Sequence, residues 1–97
     1  MVYLLTFPAI GSDKHRASHY IGYCDDDPTE RLERHRAGQG ARITAAAVER
    51  HGPDALVLVW ALPGTRDDER RMKRQRNHRR FLNPDRARAF LAQEVQR

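Results

Sequence analysis

Cysteine is nearly absent from this chain. The single residue, Cys24, excludes an intramolecular disulfide and any multi-cysteine zinc site. Without a disulfide framework a reducing compartment is the natural setting, and a cytoplasmic protein is expected. No apolar run approaches the roughly 20 residues of a membrane span, so no membrane partner is expected. The opening MVYLLTFPAIGSDKHR has no basic n-region, and its apolar part is too short for a secretory signal. There is no internal repeat, low-complexity tract or linker. No phosphate-binding glycine loop, Ser/His/Asp set or zinc pattern is present either.

What remains is 97 residues, one domain (1–97) by size, and a basic one. Eighteen Lys and Arg against 13 Asp and Glu give a net charge of +5. That balance suits a polyanion, and nucleic acid is the default polyanion. Sixteen of the 18 are arginine, which a GC-rich genome also produces in proteins of every function. Charge alone therefore does not decide the partner.

The run VYLLTF (2–7) reads as a strand and residues 8–18, with Pro8 and Gly11, as a loop. HYIGYC (19–24) reads as a second strand, antiparallel to the first, with Gly22 marking a close backbone approach. Asp27 and Pro28 start a helix that Gly38 ends. ARITAAAVERHG (41–52) is a second helix. ALVLVWAL (55–62), apolar on both faces, reads as a central, covered strand. Thr65 caps a third helix through RDDERRMKRQRNHRR, and Pro84 opens a last helix over 84–97. The expected fold is α+β, a three-stranded antiparallel sheet flanked by helices in the order β-β-α-α-β-α-α.

VYLL, then HYIG some seventeen residues later, then RLERH and GARITAA, together resemble the GIY-YIG nuclease family, in that family's order and over about residues 2 to 83. The second motif, YIG at 20–22, is intact. In the first, VYL stands where the family has Gly-Ile-Tyr, and only Tyr3 is kept. The resemblance implies an endonuclease that cuts DNA with one Mg²⁺ or Mn²⁺ ion. Family members usually gain specificity from a second domain. This chain has no room for one, so it is expected to be structure-selective, weakly specific or dependent on a specificity-giving protein partner.

The resemblance assigns a catalytic set of Tyr3, Tyr20, Arg31, His35 and Glu69. Tyr3 would orient or deprotonate the attacking water. Tyr20 is its neighbour on the next strand, while Tyr23 falls on the opposite face. Free tyrosine titrates near ~10, so a tyrosinate base needs its pKa lowered, with Arg31 as the supplier. Arg31 can also grip phosphate oxygens with paired donors. His35, one turn on, can bond phosphate, assist the base or orient a tyrosine. Glu69 is the metal ligand, with Asp67 and Asp68 as competitors; one carboxylate suffices for Mg²⁺ when water and phosphate supply the rest. Arg31, Arg42, Lys73 and Arg76 are the expected nucleic-acid contacts. Asn83 is a further site candidate, and Asn77 an alternative to it.

Each residue also has a plainer reading. A strand tyrosine packs in a core, a first-turn carboxylate complements the helix dipole, and a basic run is a solvated face. His15 and His19 lie four apart in what reads as loop, and no metal pair is expected there. Cys24 reads as a packed strand residue. Two rival functions follow. TERLERHRAGQGARITAAAVERHG can pass for a helix–turn–helix, a non-catalytic DNA-binding module that needs no metal. An inactive nuclease fold used for interaction is the other.

Overall fold

The computed structural model describes residues 1–12 and 16–93. Its strands are β1 (Val2–Gly11), β2 (Arg16–Tyr23) and β3 (Val57–Leu62). Its helices are α1 (Pro28–Arg36), α2 (Arg42–His51), α3 (Arg66–Lys73) and α4 (Pro84–Ala92), with short 3-10 turns at Pro53–Ala55 and His78–Leu82. The sheet is antiparallel throughout, in the order β2-β1-β3. The expected α+β architecture and element order are present. No helix among the described residues is long and apolar enough to cross a membrane.

β1 is the central strand because it carries the unbroken buried run: Val2, Tyr3, Leu4 and Leu5 are all at or below 2% exposure. β3 is an edge, which corrects the expectation of a central, covered strand. Its pairing with β1 shifts by one residue between Leu4↔Trp60 and Leu5↔Leu58. Val59 is the extra residue of that bulge, and both Val57 and Val59 are exposed. A run apolar on both faces is thus a half-covered edge strand here.

The hairpin is longer than its apolar runs. Residues 8–11 and 16–18, expected as loop, continue β1 and β2. Buried Ile10 anchors the extension, and a register shift between Thr6 and Ile10 takes up the chain around Pro8. Pairing to β3 stops at Thr6↔Val57, so Pro8 removes no bond on that side.

Alternation along the strands separates two cores. Val2, Leu4, Ile21, Trp60 and Leu62 pack against Met72, Phe81, Ala87 and Phe90 from α3, the second turn and α4. Tyr3, Leu5 and Phe7 pack against Leu32, Ala47 and Leu56 on the α1–α2 side. Cys24 is a buried free thiol in this second core.

The helix ends follow local chemistry. Asp27 accepts from the Thr29 amide at 2.9 Å, and Pro28 takes the first position of α1. Gly38 follows in the left-handed region, φ +78°, and its amide bonds the His35 carbonyl. Thr65 and Asp68 form a reciprocal capping box on α3. α3 is shorter than expected, ending at Lys73 rather than running to Arg80. The Lys73 carbonyl accepts from His78 Nε2 at 2.9 Å, and between Met72 and Phe81 no apolar side chain holds a further turn. The last helix ends at Ala92; residues 94–97, expected to extend it, lie outside the described residues.

Candidate active site

The site forms where the β1–β2 hairpin meets α1 and α2. Tyr3 pairs with Gly22, and Leu5 with Tyr20, so Tyr3, Gly22 and Tyr20 share one face. The Tyr3 ring lies across Gly22: a Cβ at that position would overlap Tyr3 Cζ and Oη and crowd Tyr20. The glycine of the YIG tripeptide is therefore a seat for the first tyrosine.

His35, 2% exposed, comes down on this pair from α1. Tyr3 Oη lies 2.7 Å from His35 Nε2, and His35 Nδ1 lies 2.8 Å from Thr44 Oγ1. The Thr44 hydroxyl donates to the Ala41 carbonyl at 2.9 Å. Its one proton being used there, Thr44 accepts from His35, which puts the imidazole proton on Nδ1. Nε2 then carries a lone pair, and Tyr3 donates to it. The result is a directed chain, Tyr3 to His35 to Thr44 to Ala41, with Tyr3, His35 and Thr44 all buried. Gly40 is required for it, since a Cβ there would overlap the His35 ring.

Burial governs the titration of this chain. It pushes the Tyr3 hydroxyl well above its ordinary value; Tyr20 adds to the rise, and Arg31 opposes it without prevailing. The expectation that Arg31 lowers Tyr3 toward tyrosinate is corrected accordingly. Burial pushes His35 below the usual imidazole range, and the Arg31 charge adds to this, so the ring is neutral at pH 7. A neutral imidazole bonded to a neutral phenol is an acceptor for the phenol's proton. Of the three roles open to His35, orienting Tyr3 and accepting from it are the ones the geometry provides.

Tyr20 tilts over the same group, its ring 5.3 Å from His35 and 6.3 Å from Tyr3. Burial, and then the Glu69 charge, raise its hydroxyl, while Arg31 opposes them. Lys73 Nζ stands 4.9 Å from the Tyr20 ring centre and 3.7 Å from Glu69 Oε2. Glu69 and Lys73, one turn apart on α3, thus bring a carboxylate and an ammonium to Tyr20. Arg31 is about one-third exposed, with Asp26 at 4.0 Å, and its charge acts on Tyr3, Tyr20 and His35 alike. Its Nε is buried without a partner among the described residues. Arg36, Arg71 and Arg80 share that feature, so position rather than the orphan Nε distinguishes Arg31.

The competing carboxylates are otherwise engaged. Asp68 is committed to the capping box and Arg71; burial opposes its ionisation, but those bonds hold its carboxyl below the ordinary range. Asp67 is 92% exposed. No group of three or more His, Cys, Asp or Glu side chains placed to hold a metal ion exists among the described residues. The donor set at Glu69 is one hard carboxylate, which fits a single magnesium-like ion completed by water and substrate oxygens and does not fit a closed zinc site.

Other expected residues lie apart from this group. Asn83 caps α4, accepting from the Asp85 amide at 2.9 Å. Asn77, exposed, precedes the turn at His78–Leu82 and makes no capping bond. Arg42 and Arg76 are exposed on α2 and after α3. His15 lies outside the described residues. His19 meets His78, Nε2 to Nδ1, at 3.3 Å. The sequence reading missed Thr44 and Gly40 as site residues. The signal was present in GARITAA, whose threonine follows His35 by nine residues, but only the fold turns its hydroxyl inward.

In comparisons with known proteins, no family model, curated protein or solved structure matches the chain.

Proposed function

We propose that this chain is a metal-dependent DNA endonuclease of the GIY-YIG type. The observation that carries the reading is the buried hydrogen-bond chain from Tyr3 through His35 to Thr44, whose Tyr3 end lies beside Tyr20 and within reach of the Arg31 and Glu69 charges. A core tyrosine needs one partner for its hydroxyl, and a backbone carbonyl would serve. Here a neutral imidazole is held in the one tautomer that can take the proton.

The chemistry follows from that tautomer. As a water attacks the phosphorus, its proton passes to Tyr3 Oη while the Tyr3 proton passes to His35 Nε2. Tyr3 begins and ends neutral, so its raised pKa is no obstacle. Arg31 neutralises charge growing on the phosphate oxygens. Glu69 would hold the magnesium or manganese ion, which supplies Lewis-acid stabilisation of the phosphate and the departing oxygen when bound. Lys73 now occupies the Glu69 carboxylate and would yield it to the ion. A cytoplasmic setting accords with the free thiol of Cys24.

A metal-independent DNA-binding module gives the Tyr3–His35–Thr44 chain nothing to do. Nicking of supercoiled plasmid and branched DNA in Mg²⁺, Mn²⁺ or EDTA separates the two. The nuclease cuts only with metal and loses cutting in Glu69→Ala. Binding that is indifferent to EDTA, with no cutting of either DNA, would favour the module.

A further inference from the structure

β2 is an edge strand, and a groove runs along its free edge away from Tyr20. Its first part, about 300 Å³, is walled by His19, Tyr20, Lys73 and His78. Its second part, about 330 Å³, is walled by Arg16, Ser18, His19 and Arg79. His19 lines both, so the two parts adjoin, and Tyr20 lines the part nearer the candidate active site. An imidazole pair forms part of the wall: His78 donates from Nε2 to the Lys73 carbonyl, so in the neutral ring its Nδ1 accepts from His19 Nε2. No carboxylate among the described residues lines either part. Neither Arg16 nor Arg79 has a salt-bridge partner among the described residues.

We propose that this groove binds the phosphodiester backbone of a nucleic-acid strand leading into the active site, with Arg16, Lys73 and Arg79 as its phosphate contacts. Arg16 and Tyr20 are four residues apart on one strand, about 13 Å. That spans roughly four steps of a nucleic-acid strand at ~3.4 Å each. Charged residues also guard edge strands against sheet-to-sheet pairing. That role accounts for Arg16 alone. It does not account for a basic groove built from β2, α3 and the His78 turn together, or for its reaching Tyr20.

The assignment rests on the nuclease reading, and the test keeps the two apart. Binding of a 20-base-pair duplex is measured in EDTA, which prevents cutting, over a series of salt concentrations. The groove variant Arg16→Ala/Arg79→Ala is compared with Arg86→Ala/Arg88→Ala, which removes the same charge from α4 beside β3, at the opposite edge. Both pairs are exposed, and thermal denaturation checks that each variant is folded. Each lost phosphate contact lowers the slope of log K against log salt by about 0.9. The groove variant should bind more weakly and lose up to ~1.8 from the slope, while the α4 variant matches wild type. Equal losses in both variants, or none in the groove variant, would overturn the groove assignment and leave the nuclease reading standing. No duplex binding by wild type at any salt would overturn both.

Discussion

Thr44→Val is the most informative single substitution in this protein. Valine matches threonine in shape and removes only the hydroxyl. Ala41 keeps a partner, because its carbonyl also accepts from the Ala45 amide at 3.0 Å. The loss therefore falls on His35, whose Nδ1–H is left without an acceptor in a site where Thr44 is fully buried. An orphaned buried donor costs about 1–3 kcal/mol. In a domain of this length each 1 kcal/mol lowers Tm by about 4–8 °C. The ring has one cheap escape, moving its proton to Nε2, but that tautomer cannot accept from Tyr3. Activity should then fall by about 10²-fold, within the usual range for a positioned general base. Thr44→Ser should restore most of both losses. Thermal denaturation, plasmid nicking and the ¹⁵N shifts of the His35 ring read the three effects separately. A Thr44→Val protein with wild-type melting, nicking and Nδ1–H tautomer would refute the directed chain.

Gly40→Ala places a methyl on the His35 ring and should abolish nicking; overpacking of this kind costs about 1–3 kcal/mol in a denaturant melt. Gly22→Ala should do the same through Tyr3 and Tyr20, and a variant that nicks normally would show that the ring has another resting place. Stability should fall as pH drops below ~6.5, because His35 and His19 both have depressed values in the fold and the unfolded chain binds their protons first. In urea titrations His35→Gln should flatten part of that acid slope; an unchanged slope would mean His35 is not buried neutral. Glu69→Gln should abolish Mg²⁺-dependent nicking while changing stability by under about 1 kcal/mol, since Lys73, its partner, is 41% exposed.

The features readable from the sequence are those set by neighbours in the chain. The Asp27–Pro28 start and the Gly38 stop of α1 are local chemistry, and both are in place. The pairing of Tyr3 with Tyr20 follows from strand alternation once the hairpin is granted, and Tyr23 does face away, bonded to Asp25. Features that depend on the third dimension were hidden. The apolar run of β3 cannot show that a bulge turns Val59 outward at a sheet edge. The polar run after Met72 reads as helix, because nothing local shows His78 taking the Lys73 carbonyl. Thr44 and Gly40 look like helix packing and a turn until α2 is laid beside α1. The effect of Arg31 on Tyr3 was misjudged for a similar reason: its charge was visible, but the burial that outweighs it was not.

The central claim is that the Tyr3 hydroxyl relays the proton of the attacking water to His35. Tyr3→Phe tests it most directly, since phenylalanine keeps the ring over Gly22 and removes only the hydroxyl. Nicking of supercoiled plasmid in Mg²⁺ by wild type, with loss of about 10²-fold or more in Tyr3→Phe and unchanged DNA binding, is the predicted result. Wild-type nicking by a folded Tyr3→Phe protein would contradict it.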